Sequence, residues 1–499
     1  MSLSLSLMKL IAITAVASGT ISQASSQCKL ESSVKPRLFV LTDIANEPDD
    51  AQSLVRLMTY AHEFRIQGLI ATTSIWLNDT TRADQILDII DAYEQVLPNL
   101  QVHASGWPKP SHIRSIVGSG LPLYGMDGVG QGKDSEGSRL LIQAVDAASA
   151  SDEPIYIPIW GGASVLAQAL WYVNATRTSS EIQHFVSQIR AYAISDQDNT
   201  GVWIRRNWPQ LFYIASIHHF NRYAIAAWGG MAGDAYYHFP SHKASKAVIS
   251  PDWIKKNIQD VGVLGSRYPD ADFIFEGDTP SFLYMIPNGL SDPEHPEWGS
   301  WGGRYGPVNY GEGHYADSVD TITHQDGTIS MGQHVTVWRW REAFQNDFAA
   351  RMQWSVTNEF TGAQHPPITV VNEDRSRSVI KRLATPGETI VLDASNSCDP
   401  DGEDEGLTYK WWQYKEPSSN NNNPKRDVAT LQLDAADTAR VTVTIPSSEE
   451  LRRVGRNTHP EEDKHLHLIL EVSDGKLTSY RRVTFSVLAV GSEIRHDEL

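Results

Sequence analysis

The chain has 499 residues, which is enough for two or three domains with hydrophobic cores of their own. Its 42 Lys and Arg residues face 60 Asp and Glu residues, and the net charge of −18 argues against nucleic acid as a partner. Beyond the N-terminus no apolar run is long enough to cross a bilayer, so we expect no membrane span.

Both ends of the chain carry targeting patterns. Residues 1–26 have the form of a secretory signal peptide, in which Lys9 precedes an apolar run and small residues follow. Residues 496–499 read H-D-E-L, the retrieval signal of the endoplasmic reticulum. We therefore expect the protein in the lumen of the endoplasmic reticulum, with the retrieval receptor as a partner. Sequons at Asn78 and Asn174 predict N-glycosylation along the same route.

Two cysteines occur in the chain, Cys28 and Cys398. In an oxidising lumen we expect them to pair, which would tie the mature N-terminus to the C-terminal part of the chain. The alternative is two unpaired thiols. The count excludes a structural zinc site built mainly from cysteines.

Residues 38–51 predict a strand, an acidic loop and a helix. An apolar run leads into four carboxylates within eight positions, and apolar residues then recur at helical spacing; the acids are Asp43, Glu47, Asp49 and Asp50. Ligands of open α/β sheets bind beyond the carboxyl ends of the strands, where this loop falls. A helix N-terminus offsets only roughly 0.3–1 kcal/mol of repulsion per acid. A bound hard divalent cation, Ca²⁺ or Mg²⁺, would offset more of this repulsion. The alternative interpretation is that the acids bind no metal and only cap the start of the helix.

Strand and helix patterns alternate from residue 37 to about residue 356. After the first strand and helix we predict strands at 65–73, 100–104, 155–160, 190–195 and 273–275, and helices at 82–97, 138–150 and 165–173. A further helix opens after Asp278 and is expected to run towards Leu290. This alternation predicts an α/β fold with an open, mainly parallel sheet and helices on both faces.

The C-terminal part of the chain has a different texture. Residues 362–374 are rich in Pro and polar residues, and from residue 379 the apolar pattern takes period two. This predicts an antiparallel β-sandwich, with a floppy Asn-rich loop at 418–424. Asp399 and Asp401 are candidates for Ca²⁺, but a D-P-D-G turn accounts for them more simply.

Four segments of the first part resemble motifs of the nucleoside hydrolase superfamily, in that family's order. They are T-D-I-A-N-E-P-D-D-A at 42–51, Y-G-M-D-G-V-G at 124–130, G-G-A-S-V-L-A at 161–167 and E-G-D-T-P at 276–280. A turn or helix start explains each of the last three equally simply. In the first motif Leu41 and Ala45 take the positions of a family Asp and Gly.

The resemblance implies roles for particular residues. Ca²⁺ would be held by three carboxylates and one backbone carbonyl, namely those of Asp43, Asp50, Asp278 and Ser164. Asp43 would also act as the general base on a water molecule. Asp49 would bind sugar hydroxyls, and we expect Glu47 and Asp127 to contact the substrate as well.

Other family positions depart from the pattern. Gly277 stands where some members have a His that protonates the departing base, and the E-F-N motif has no counterpart near residues 198–203. The segments 72–76, 203–209 and 338–348 instead resemble the nucleoside hydrolase-like proteins labelled cellulose-binding. Members of that group carry a β-sandwich behind the hydrolase-like domain, and ours resembles PKD-type immunoglobulin-like modules. These departures count against a nucleoside substrate.

The expected organisation has five parts. They are the signal peptide 1–26, a nucleoside hydrolase-like domain 34–358, a linker 359–376, an immunoglobulin-like β-sandwich 377–491 and the retrieval signal 496–499.

The expected function is Ca²⁺-dependent hydrolysis of an N-glycosyl or glycosyl bond in a sugar-containing small molecule or glycan. A bound metal lowers the pKa of water, and nearby carboxylates stabilise an oxocarbenium-like centre. Glu276, Asp127 and His295 are candidates, by residue type alone, for assisting departure of the leaving group. The rival hypotheses are a non-catalytic protein that binds a cellulose-like glycan in the same pocket, and a structural protein of the lumen.

Aromatic residues suggest a second type of sugar contact. Trp298, Trp301 and Tyr305 lie in a Gly-rich segment, where they would either stack on sugar rings or cap the edge of the core. The aromatic residues of segment 338–348 recur mostly at helical spacing and are expected in the core.

Overall fold

The computed structural model describes residues 28, 30–31, 34–149, 153–218, 220–239, 243–308, 312–324, 326–402, 406–419, 428–455 and 465–487. The predicted signal peptide, the retrieval signal and most of the Asn-rich loop lie outside these residues.

The first domain is built on one eight-stranded sheet. Its strands are β1 Arg37–Thr42, β2 Arg65–Ala71, β3 Val117–Ser119, β4 Ile155–Ile159, β5 Ile189–Ala193, β6 Phe212–Ala215, β7 Tyr305–Pro307 and β8 His314–Asp317. The spatial order is β3-β2-β1-β4-β5-β6-β8-β7, and every neighbouring pair is parallel except β7 with β8. The predicted α/β class with a mainly parallel sheet is confirmed.

The helices pack on both faces of this sheet. In chain order they are α1 Pro48–Thr59, α2 Ala83–His103, α3 Pro110–Ser115, α4 Glu136–Ser149, α5 Ser164–Thr176, α6 Ser179–Ser187, α7 Thr200–Asn207, α8 Lys243–Ala247, α9 Pro251–Ile254, α10 Gly262–Gly265, α11 Pro280–Leu283, α12 Val335–Trp338 and α13 Arg341–Trp354. Successive side chains of β1 point to opposite faces of the sheet and enter two separate buried clusters. Leu38 and Val40 belong to one cluster, and Phe39 and Leu41 belong to the other. A strand with two buried faces reads as a continuous apolar run, which is why β1 is L-F-V-L in its centre.

Strand order reverses at β1, which has β2 on one side and β4 on the other. At such a point the connections that leave the two adjacent strands run to opposite faces of the sheet, and a crevice opens beyond the carboxyl ends of these strands. The acidic loop that follows β1 therefore lies at the point of this sheet best suited to a ligand.

The C-terminal part forms two packed sheets and confirms the predicted β-sandwich. Its strands are β11 Ile380–Ala384, β12 Thr389–Asp393, β13 Thr408–Tyr414, β14 Gln432–Asp434, β15 Arg440–Thr444, β16 His465–Ser473 and β17 Thr478–Val487. The orders are β11-β17-β16-β13 and β12-β15-β14, and the short helix α14 Ser448–Gly455 connects β15 to β16. Between the domains lies a hairpin of β9 Asp320–Thr323 and β10 Ile329–Gly332.

The two domains share one buried cluster. Tyr414, Ile469 and Tyr480 of the sandwich belong to the same apolar core as α1 and α13 of the first domain. The sulfur atoms of Cys28 and Cys398 are joined in a disulfide. No helix among the residues that the structure describes is long and apolar enough to cross a bilayer.

Three predicted elements are wrong. Residues 100–104 belong mostly to α2, which continues past Pro98 to His103 instead of ending before it. Residues 273–275 form a bend and not a strand. The helix after Asp278 is the single turn α11, and further turns follow it towards Leu290.

Candidate functional site

The loop between β1 and α1 is held in one shape by local hydrogen bonds. Thr42 Oγ1 accepts from the Ile44 amide (3.1 Å) and donates to a carboxylate oxygen of Asp50. The Asn46 amide donates to the Asp43 carbonyl (3.2 Å). Ala45 adopts φ 82°, a left-handed conformation that suits Gly better than Ala, and it stands where the superfamily motif has Gly.

Three carboxylates meet at the carboxyl end of β1. One oxygen each of Asp49, Asp50 and Asp278 lies within 4.8 Å of the others. Asp50 and Asp278 are 3% and 1% exposed. Asp278 Oδ2 is buried and has no hydrogen-bond partner among the residues that the structure describes. The predicted convergence of Asp278 with the acids of the first loop is therefore present.

Burial and mutual repulsion keep these acids from ionising freely. Burial, followed by the charges of Glu47 and Asp43, raises the pKa of Asp49 to about 7, and burial raises the pKa of Asp43 to about 7. The pKa values of Asp50 and Asp278 are raised well above the ordinary range, first by burial and then by the neighbouring aspartates. The carboxyl groups cannot all be charged unless a positive charge balances them.

The cluster fits a hard divalent cation. Ca²⁺ binds oxygen ligands at about 2.3–2.6 Å, so two ligands of one ion lie at most about 5 Å apart. The 4.8 Å spacing of Asp49, Asp50 and Asp278 meets this limit. The unpartnered oxygen of Asp278 is a ligand atom that nothing else in the described structure uses.

A buried ion pair fixes the segment that carries Asp278. Arg56 of α1 donates to both carboxylate oxygens of Glu276, and Tyr268 donates to Oε1 at 2.8 Å. Both Arg56 and Glu276 have side chains that are 0% exposed. The Glu276 amide donates to Gln52 Oε1 (3.0 Å), so α1 holds this segment through both backbone and side chain.

Two glycines allow close approach of backbone to carboxylates. A Cβ at Gly161 would lie 2.8 Å from Asp43 Oδ1, and a Cβ at Gly277 would lie 2.9 Å from Asp49 Oδ2. A larger residue at position 277, such as the His of some nucleoside hydrolases, would crowd Asp49.

The acids stand in a cavity of about 510 Å³. Most other residues that line it are aromatic, aliphatic or neutral polar: Asn46, Trp76, Trp160, Ile194, Gln197, Phe220, Tyr223, Ala224, Trp228, Tyr236, Tyr237, Phe273 and Ile274. Tyr223 donates to Ser195 Oγ (2.9 Å), and burial raises its pKa to about 12, so its hydroxyl keeps its proton. This combination of apolar walls and few polar groups is typical of small-ligand sites.

The structure places some predicted site residues in this cavity and others outside it. Asp43 and Glu47 line it together with the three clustered aspartates. Ser164 is buried at the start of α5, and Asp127 is exposed in a 3₁₀ turn; neither is among the described lining residues. Asn78 and Asn174 are both exposed, as glycosylated residues must be.

The three candidates for the leaving-group acid do not reach the cavity lining. Glu276 is neutralised by Arg56. His295 bonds Glu297 at 2.9 Å and stacks on Trp298, which packs against the sandwich.

The aromatic residues of the Gly-rich segment cap the core. Trp298, Trp301 and Tyr305 are buried, so the predicted alternative of stacking on sugar is wrong. As expected, the segment 338–348 contributes buried aromatics to the core.

Sequence reasoning missed four exposed rings at the cavity mouth: Trp76, Phe220, Tyr236 and Phe273. The one available signal was that Trp76 directly follows β2, at the same edge of the sheet as the acids.

A family model for the nucleoside hydrolase-like domain of cellulose-binding Sde182 matches residues 37–305, more than half of the chain. The chain belongs to the Sde182 family. A second model, for the C-terminal domain of cellulose-binding protein Sde0182, matches residues 389–487. The resemblance to the cellulose-binding subgroup is confirmed.

One solved structure agrees with the Sde182 assignment. A nucleoside hydrolase-related hypothetical protein from Saccharophagus degradans, associated with carbohydrate metabolism, is 33% identical, with 91% of this chain and all of that one covered and a TM-score of 0.72. Effector protein XOO4466 is 8% identical, and the match covers 69% of this chain and 97% of that one. Type III effector XopQ, complexed with adenosine diphosphate ribose, is 11% identical, and the match covers 68% of this chain and 97% of that one. Their TM-scores of 0.31 carry no inference. No curated protein matches the chain.

Proposed function

We propose that the protein is a divalent-cation-dependent hydrolase of a glycosidic bond. The observation that carries this proposal is the meeting of Asp49 and Asp50 with Asp278 at the bottom of a cavity of about 510 Å³. The family description names cellulose binding, and the Saccharophagus degradans protein is associated with carbohydrate metabolism. Both support a sugar-containing ligand.

The residues divide into two roles. Asp49, Asp50 and Asp278 would hold the cation, with Ca²⁺ the expected ion because all the donors are oxygen atoms. When bound, such a cation lowers the pKa of water and orients it. Asp43 lines the same cavity and lies outside the group of three, so we assign it the removal of a proton from the attacking water. The remaining charge of the acids stabilises a positive anomeric centre.

A non-catalytic sugar-binding protein is the second candidate. It is favoured by the positions of Glu276, His295 and Asp127, none of which is among the described residues that line the cavity. A hydrolase of a poor leaving group needs a proton donor close to the scissile bond, and none of these three residues places one in the described lining.

One experiment separates the two candidates. Wild type and Asp278→Asn are incubated with neutral oligosaccharides and with nucleosides, with Ca²⁺ or with a chelator, and released sugar is measured. The hydrolase proposal predicts turnover that needs Ca²⁺ and is lost in the variant. Asp260→Asn, a surface acid paired with Lys255, is the matched control and keeps full activity. Ca²⁺-dependent sugar binding without turnover would establish the binding protein instead.

We also propose residence in the lumen of the endoplasmic reticulum. The exposure of Asn78 and Asn174 supports passage through the secretory pathway. Removal of residues 496–499 is expected to send the glycosylated protein into the medium, and retention of the shortened chain in the cell would contradict the proposal.

A further inference from the structure

The cavity changes character from bottom to top. At its floor Asp43, Asp50 and Asp278 are buried with Trp160, which is 1% exposed, and Glu47 and Asp49 beside them are half-buried. At its mouth stand four aromatic rings that are 37–57% exposed although they line the same cavity, and we call them the rim: Trp76, Phe220, Tyr236 and Phe273. The reacting groups thus lie at the closed end and the exposed rings at the open end.

The rim rings come from separate segments and form two pairs. Trp76 and Phe220 follow β2 and β6 and have centroids 5.1 Å apart. Tyr236 and Phe273 have centroids 5.6 Å apart in an edge-to-face arrangement. Single exposed apolar residues are common on protein surfaces, whereas grouped ones at the mouth of a cavity mark a binding surface.

The charge of the cavity selects among ligands that could stack on these rings. The described lining contains five carboxylates, and no Lys, Arg or His is among those residues. One divalent cation would balance two of these carboxylates, and the described lining offers no side-chain cation to an anionic group. A phosphorylated or carboxylated ligand would therefore be repelled at the mouth, and a neutral ligand would not.

We propose that the rim is a stacking subsite for the second ring of a neutral glycan chain whose terminal ring occupies the floor. This rests on the proposed function, which places the reacting sugar among the acids. Groups at the closed end of a cavity are reached by the end of a chain and not by its interior. Exposed aromatic faces cover the apolar face of a sugar ring, and the amide of Asn46 and the phenol of Tyr237 are at hand in the lining for its hydroxyls.

The volume agrees with a short chain segment. Cavities of about 300–1,000 Å³ take small organic ligands almost whole, and this one is about 510 Å³. The protein would therefore act on, or hold, the ends of neutral glycans and not their internal bonds.

The subsite is tested with a series of ligands of increasing length. Binding of neutral gluco-, xylo- and manno-oligosaccharides of increasing length is measured by calorimetry in Ca²⁺. For at least one series, affinity is expected to rise roughly tenfold when the second ring is added. Trp76→Ala and Phe273→Ala remove most of this gain and weaken binding of the single ring much less than binding of two rings. Tyr172→Ala is the matched control, because Tyr172 is similarly exposed (38%) on α5 but does not line the cavity.

The outcomes separate this proposal from the proposed function. Absence of a length-dependent gain in every series, or a gain that survives both rim substitutions, overturns the subsite. A second ring carrying a carboxylate that binds as tightly as its neutral counterpart overturns the selection for neutral chains. A rim substitution that weakens the binding of adenosine but not the binding of the disaccharide would show that the rim binds an aromatic base. That result also overturns the glycan subsite. The proposed function fails separately, if turnover is absent while the length-dependent gain is present.

Discussion

Asp278 owes its position to a residue that has no contact with the ligand cavity. Glu276, two positions earlier, adopts φ 57° and is fully buried against Arg56. A non-glycine residue in this conformation persists only where its surroundings hold it. The Glu276 amide donates to Gln52 of α1, and Tyr268 donates to the Glu276 carboxylate, which supplies that hold. Helix α1 therefore positions Asp278 as well as the acids at its own N-terminus.

Glu276→Gln is expected to destabilise the protein by about 3–5 kcal/mol, because it leaves Arg56 buried without its counter-charge. Urea unfolding of the metal-free protein measures this change. Glu153→Gln removes the partner of Arg65 at a half-exposed pair, and we expect it to cost no more than about 1 kcal/mol. Equal losses in the two variants would contradict the role assigned to Glu276.

At the scale of elements, the pairing of β16 with β17 buries a neutral histidine beside an arginine. Arg482 Nη1 donates to Nδ1 of His467 at 2.9 Å, and both side chains are fully buried. Burial, followed by the positive charge of Arg482, holds the pKa of His467 well below its ordinary value. Arg482 also donates to the Leu290 carbonyl (2.9 Å) of the first domain, so this pair lies at the junction.

The junction is expected to weaken in acid. Because the pKa of His467 is lower in the folded than in the unfolded state, the unfolded state binds more protons as pH falls below about 6.5. Stability should then fall by up to about 1.4 kcal/mol per pH unit. Unfolding free energies of wild type and His467→Asn are compared between about pH 7 and pH 5. The difference between them should shrink in acid, whereas exposed His184→Asn should track wild type. A constant difference for His467→Asn would contradict this.

Periodicity predicted the four central strands β1, β2, β4 and β5 but missed the shorter β3, β6, β7 and β8, and the two wrongly predicted strands have physical causes. Pro98 suggested a helix end, but it lies inside α2, which tertiary packing carries on to His103. The run at 273–275 looked like a buried strand because it contains two Phe residues. Phe273 is 57% exposed on the rim, so it is not part of the core.

Four acids of the site could be predicted from their place after the first strand, and the sequence resemblance also brought Asp278 to them, but the sequence did not show which carboxylate oxygens lie closest together. Sequence resemblance assigned Asp43 to the cation and Asp49 to the sugar. The structure places Asp49 with Asp50 and Asp278 and leaves Asp43 outside that group of three. Which carboxylates face one another depends on side-chain directions in a loop, and Ala45 in its left-handed conformation turns that loop.

The whole molecule is held as one unit by the junction between its domains. Arg482 donates its backbone N–H to the Gly289 carbonyl (2.8 Å), and Trp340 packs edge-on against Tyr414 and Tyr480. Asp320 is buried between Arg304 and Arg339. Burial by itself would raise the pKa of Asp320, but the positive charges of the two arginines lower it below the ordinary value. An interface of this kind couples the folding of both domains.

Calorimetry of the whole chain is expected to give a single unfolding transition. Gly289→Ala should lower its midpoint or split it, because a Cβ there would lie 2.0 Å from the Tyr480 carbonyl oxygen. Gly387→Ala is the matched control, since it has a similar positive φ and open space around it. Two transitions in the wild type, or equal effects of the two alanines, would contradict the shared core.

Titration of Ca²⁺ into the metal-free protein shows whether Asp49, Asp50 and Asp278 hold one divalent cation. We expect binding of one ion per chain at this site, with a rise in the free energy of unfolding of about 2.7 kcal/mol when Ca²⁺ is present at 100 times its dissociation constant. Both signals should disappear in Asp278→Asn and remain in Asp260→Asn. Absence of Ca²⁺ and Mg²⁺ binding in the wild type, or unchanged binding in Asp278→Asn, would contradict the account.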